Sequence, residues 1–100
     1  MELEWSPLAI ERVIELAGYI ALDKPDVAIK WAENIFDSTE NLKNFPKLGR
    51  EVPEINNEDY RELLEGNYRV IYWLGSSKIS ILTVCHGRQL LPVDEGIRNE

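Results

Sequence analysis

From Pro7 onward, Ala9, Val13, Leu16, Ala17 and Ile20 recur at three- and four-residue intervals, the spacing that lays one apolar stripe along a helix. Ser6-Pro7 supplies the start, because serine is an N-cap acceptor and a proline in the first turn gives up no hydrogen bond. The helix is predicted to run to about Leu22, with Glu11, Arg12 and Glu15 on its solvent side. Asp23-Lys24-Pro25-Asp26 interrupts the pattern, since the residue before a proline is pushed out of helical geometry, and Pro25 then restarts it. A second stripe of Ala28, Trp31, Ala32, Ile35, Thr39 and Leu42 should end near Asn44, ahead of Phe45-Pro46. So short a link makes the two helices an antiparallel hairpin.

The rest of the chain reads differently. Leu3-Glu4-Trp5 is a short strand before the first helix. Pro46 to Asp59 holds Pro46, Gly49, Pro53, Asn56 and Asn57, a density of breakers that predicts a surface loop. Tyr60 to Leu64, Tyr68 to Trp73 and Ile79 to Arg88 are then crowded with β-branched and aromatic residues and separated by Gly, Asn and Ser, the pattern of three strands joined by tight turns. In the middle strand Tyr68, Val70 and Tyr72 alternate with Arg69, Ile71 and Trp73; in the last, Ile79, Ile81 and Thr83 alternate with Leu82 and Val84. The expected fold is α+β, a helical hairpin packed on one face of a small antiparallel sheet made of the short first strand and three C-terminal strands. The helices can cover only one face. The other is expected to expose Ile71, Trp73, Leu82 and Val84, an apolar patch that would act as a binding surface and cause isolated protein to self-associate.

A length of 100 residues at 44% hydrophobic fits a single domain with one modest core, with residues 93–100 expected to fray. Eleven Lys and Arg against 18 Asp and Glu give a net charge of -7, which argues against a general nucleic-acid-binding surface. Cys85 has no partner cysteine and lies in an apolar strand, as suits a reducing compartment and a buried small hydrophobe. No leader-like segment or apolar run of membrane-spanning length is visible, so a cytoplasmic location is expected. One histidine and one cysteine make no recognisable metal-ligand set, and no cofactor is expected.

Taken in order, Trp5-Ser6-Pro7-Leu8-Ala9, Tyr19-Ile20-Ala21, Lys24-Pro25-Asp26-Val27-Ala28, Leu42 to Arg50, Tyr60-Arg61-Glu62-Leu63, Tyr68-Arg69-Val70-Ile71-Tyr72 and Val84-Cys85-His86-Gly87-Arg88 resemble the RelE/ParE superfamily of toxin-antitoxin toxins, the ParE branch more than the RelE branch. The resemblance spans nearly the whole chain. It implies the same α+β fold and, as partner, a cognate antitoxin that covers apolar grooves in a toxin-antitoxin hetero-oligomer. It also implies a role of the plasmid-stabilisation kind. ParE-like members inhibit DNA gyrase, whereas RelE-like members cut messenger RNA on the ribosome.

RNA cleavage needs groups that move a proton from the ribose hydroxyl and stabilise charge on the phosphate. Here Arg69 and Arg88 match the arginine positions of the RelE-like set and Arg61 stands near a lysine position, but Leu63 falls where a second basic residue is expected and no tyrosine follows Tyr72. The resemblance therefore implies a gyrase-binding toxin rather than an enzyme, with no catalytic residue assigned; a ribosome-dependent endoribonuclease, or a non-toxic relic that only binds antitoxin, is the alternative. Arg61, Arg69, Ile71, Trp73, His86 and Arg88 are the candidate contacts with target or antitoxin. For Arg61 and Arg69 the plainer role is pairing with Asp59, Glu62 or Glu65, and for His86 it is a structural hydrogen bond.

Overall fold

The computed structural model describes residues 1–88, so the expected fraying of residues 93–100 lies outside the described residues. Its elements are β1 (Glu2–Trp5), α1 (Pro7–Ala21), α2 (Pro25–Glu40) continuing into a 3-10 turn (Asn41–Lys43), β2 (Arg50–Glu51), β3 (Tyr60–Glu65), β4 (Tyr68–Leu74) and β5 (Lys78–His86). The sheet runs in the order β1-β5-β4-β3-β2. The β2-β3, β3-β4 and β4-β5 pairs are antiparallel, while β1 lies parallel to β5, a pairing that the intervening helices and strands make room for. β2 lies inside the stretch expected to be only loop. It is two residues long, too short for any period to register, and it exists because Arg50 and Glu51 pair with Glu62 and Arg61. Gly66, at φ 59°, opens the tight β3-β4 turn with a backbone that other residues rarely adopt.

The helical hairpin covers one face, as the two stripes predict. Ala9 and Val13 of α1, Trp31 and Ile35 of α2 and Leu42 of the 3-10 turn meet Val70, Tyr72, Ile79, Ile81 and Val84 in the main core. Ser6 ties this layer to the sheet. Its Oγ accepts from the N–H of Ala9 at 3.0 Å and donates to the carbonyl of Leu82 at 3.0 Å, while its N–H donates to the carbonyl of Ile81. A single side chain therefore caps α1 and anchors it to β5.

Leu82 is also where the alternation of β5 breaks. Pairing runs from Tyr68 opposite His86 to Ile71 opposite Thr83, then steps to Tyr72 opposite Ile81, leaving Leu82 as the extra residue of a bulge. One inserted residue inverts the facing of everything beyond it. Val84 consequently joins Ile79 and Ile81 under the helices, whereas the sequence alternation places it with Leu82.

The second face is not bare either. Val52, Tyr60 and Ile71 form a small second core against which Ile55, Trp73 and Leu82 pack, so residues 52–60 fold over the sheet as a strap. Ile71 and Val84 are buried and Trp73 and Leu82 are half-buried. The expected patch of Ile71, Trp73, Leu82 and Val84 is thus absent, and with it the stated ground for self-association. Most exposed apolar side chains lie elsewhere: Ile10, Ile14, Tyr19 and Leu22 on or just after α1, Val27, Ile29 and Phe36 on α2, and Phe45 and Leu48 beyond it; on the sheet Leu64 of β3 is exposed.

Ser6→Ala removes both the cap and the tie to the bulge. Denaturant titration is expected to show a loss of about 1–2 kcal/mol, with Ser6→Thr retaining most of it.

Candidate functional site

The strap face is organised by charge. Glu62 projects from the middle of β3 with a fully buried side chain, and an ionised carboxylate without water must be matched by other groups. Arg69 of β4 donates from Nε to Glu62 Oε1 at 2.8 Å, and Arg50 of β2 donates from Nε and Nη2 to Glu62 Oε2 at 2.8 and 2.7 Å. The other edge of the Arg69 fork is engaged as well: Nη1 and Nη2 donate to the two carboxylate oxygens of Glu54, each at 2.7 Å. Glu54 belongs to the strap. The four groups alternate in sign, Glu54-Arg69-Glu62-Arg50, and stitch strap, β4, β3 and β2 together. Hydrogen bonding to Glu54, reinforced by Glu62, holds the Arg69 proton more tightly than usual despite the opposing effect of burial.

A second anchor lies where the chain enters β2. The hydroxyl of Tyr72, whose side chain is wholly buried, donates to the Pro46 carbonyl at 2.8 Å and accepts from the N–H of Gly49 at 3.0 Å. Arg61 Nη1 donates to the Gly49 carbonyl at 2.8 Å. Only glycine fits at position 49, since a Cβ there would lie 2.7 Å from the Glu62 carbonyl and from the Tyr72 ring and hydroxyl. Burial pushes the Tyr72 hydroxyl above the ordinary tyrosine value, against the opposing pull of the Gly49 hydrogen bond and the Arg61 charge.

The six residues singled out by sequence do not converge on one site. Arg69 and Ile71 are buried on the strap face and Trp73 is half-buried beside them. Arg61 is half-buried and bound to the turn at Gly49. His86 packs edge-on against Tyr68 with ring centroids 5.4 Å apart, and its Nδ1 accepts from the N–H of Arg88 at 3.2 Å. Arg88 is exposed beyond the end of β5. Sequence reasoning named Glu62 as a partner of Arg69 and missed Glu54, Arg50 and the Tyr72 hydroxyl. The available signal was Glu62 itself, a charged residue at an inward position of an apolar strand. Among the described residues no cluster of His, Cys, Asp or Glu is placed to hold a metal ion, and no helix is long and apolar enough to cross a membrane.

A family model described as the ParE toxin of the type II toxin-antitoxin system parDE matches residues 3–91. The chain belongs to the ParE toxin family. It is 30% identical over 90 residues to a protein of Sinorhizobium fredii (strain NBRC 101917 / NGR234) named Putative toxin Y4kP, covering 90% of this chain and 92% of that one. Its fold is similar to a chain in the solved structure of the chromosomal ParDE toxin-antitoxin system of P. aeruginosa, with a TM-score of 0.73 over 86% of this chain and 95% of that chain, at 18% identity. Within this ParE-type fold Arg69 has both edges of its fork committed to carboxylates.

Arg69→Leu leaves Glu62 buried beside a single exposed guanidinium. It is expected to cost about 3–5 kcal/mol in equilibrium unfolding, whereas Arg69→Leu combined with Glu62→Leu should recover much of that loss. Tyr72 carries a pH signature. Its proton is held more tightly folded than unfolded, so stability falls as pH rises above 10.0, the ordinary tyrosine value, and continues to fall until the folded group ionises. Denaturant midpoints measured across that range should drop more steeply for the natural protein than for Tyr72→Phe; parallel slopes would contradict the burial argument.

Proposed function

We propose that this ParE-family chain is a cytoplasmic, non-enzymatic toxin that inhibits DNA gyrase by binding it, and that a cognate antitoxin neutralises it. The observation that carries the reading is the saturation of Arg69. A guanidinium bonded to Glu54 and Glu62 and almost without exposure has no free edge for a phosphate, and Arg61 is likewise directed at a backbone carbonyl. Of the three arginines a ribonuclease reading would use, Arg88 alone is exposed. Binding a protein surface demands no such free cluster, since interface energy comes mainly from apolar and aromatic anchors. The exposed side chains on the helical hairpin are of that kind.

Purified protein is expected to inhibit supercoiling by gyrase in a concentration-dependent way and to leave transcript ends unchanged in translating extracts. Growth arrest on expression, with supercoiling unaffected, would overturn the gyrase assignment; new transcript ends would replace it with RNA cleavage. Co-expression of the neighbouring gene's product should restore growth, and undisturbed growth without it would mark a protein that has lost toxicity.

A further inference from the structure

The eight residues from Lys43 to Arg50 carry three cations and no carboxylate, in a chain whose net charge is -7. The same stretch displays Phe45 and Leu48, 64% and 56% exposed. They line one of two shallow recesses that share Pro46 and Lys47. One, of about 470 Å³, is formed by Asn44 to Leu48; the other, of about 570 Å³, adds Met1, Asp59 and the β4 end at Trp73 and Leu74. Together they make a continuous apolar ledge with Lys47 and one carboxylate, Asp59, in its lining, and with Lys43 beside it, the Lys43 carbonyl accepting from the Met1 amino group at 3.2 Å. Lys43 is engaged with Glu40 at 2.9 Å, an exposed pair of the kind that contributes little and exchanges readily.

The ledge is also rigid. The Tyr72 hydroxyl holds both the Pro46 carbonyl and the Gly49 N–H, Arg61 holds the Gly49 carbonyl, and the N–H of Leu48 closes the turn onto the Phe45 carbonyl at 3.0 Å. The Trp73 ring at the other side lies close against Gly75, where a Cβ would come 3.0 Å from it. Apolar side chains held outward on a fixed backbone lose little entropy when covered, which is the condition for an anchor site.

We infer that this ledge is a docking site for an acidic peptide segment of a partner protein, one that places apolar anchors between Phe45, Leu48 and Trp73 and carboxylates on Lys43 and Lys47. The cations select an acidic partner, and they stand out because most of the surface repels one. Leu48, Leu74 and Met1 add aliphatic surface between the aromatic side chains of Phe45 and Trp73, and the net charge of -7 opposes a polyanionic strand more than a short peptide. The inference is independent of whether gyrase is the target.

The test uses the full chain and three labelled probes: an amphipathic peptide of Leu and Glu, its Leu and Lys counterpart, and a single-stranded oligoribonucleotide, followed by fluorescence anisotropy. The Leu/Glu peptide should bind tightest, with affinity falling as salt rises. Lys43→Glu with Lys47→Glu should weaken it about tenfold, as should Phe45→Ser with Leu48→Ser, all at exposed positions where folding is retained. Tyr72→Phe keeps every contacting side chain and loosens the turn, so binding should weaken several-fold through faster dissociation. Equal or tighter binding of the Leu/Lys peptide or the oligoribonucleotide, absence of binding, or indifference to these substitutions would each overturn the inference. So would a concentration-dependent dimer abolished by Phe45→Ser with Leu48→Ser, which would make a second copy of the chain the occupant.

Discussion

A carboxylate with no exposed surface cannot remain charged by itself, and Glu62 sits in the middle of a β-strand in that situation. Its two oxygens require two donors from different directions. Arg69 comes from the neighbouring strand and Arg50 from the edge, where two residues inside a breaker-rich stretch pair as β2. Arg69, drawn inward, has a second edge to satisfy, and Glu54 supplies it from the strap. The strap, the edge strand β2 and the occupied arginine are thus tied to one buried charge. Networks of this kind add little net stability compared with an apolar replacement, yet they penalise alternatives heavily. A slip of β3 against β4 by one residue would turn Glu62 to the helix face and strand it among Val70, Tyr72 and Ile81. Register is therefore the property the network secures.

The helices and their boundaries were legible because a 3.6-residue stripe repeated over several turns is a redundant signal, and Ser6-Pro7 and Lys24-Pro25 mark the starts chemically. The three long strands were legible for the same reason at period two. The errors have local physical causes. Leu82 and Thr83 are both good strand residues, so nothing in the sequence marks the bulge that places Val84 under the helices. The strap was read as loop on the strength of Pro53, Asn56 and Asn57, although Val52, Ile55 and Tyr60 inside and beside it were the sign that it covers something. Of the candidate residues, pairing for Arg69 was foreseeable from Glu62, but its bond to Glu54, 15 residues away, depends on how the strap folds back.

Sealing both faces of the sheet changes where recognition can take place. A sheet face that is already covered offers only its edges, and these are blunted: β2 is two residues long, and β1 carries Glu2 and Glu4, with Glu4 paired to Lys78 at 2.8 Å. Apart from Leu64 on β3, the exposed apolar surface of the described residues is displayed mainly by the helical hairpin and by the turn that follows it. Helices and clamped turns satisfy their own backbone groups, so they can present hydrophobic side chains without inviting the strand-to-strand pairing that an open sheet would. For a chain of the ParE family this division is mechanically sensible. The charged network fixes the register of the sheet and the strap packs over its second face, while most of the exposed apolar side chains sit on the helices and the turn after them. The Tyr72 hydroxyl joins the two roles, since a group buried in the main core fixes the backbone from which Phe45 and Leu48 project. A substitution in that core can therefore alter what the surface presents without touching an exposed residue.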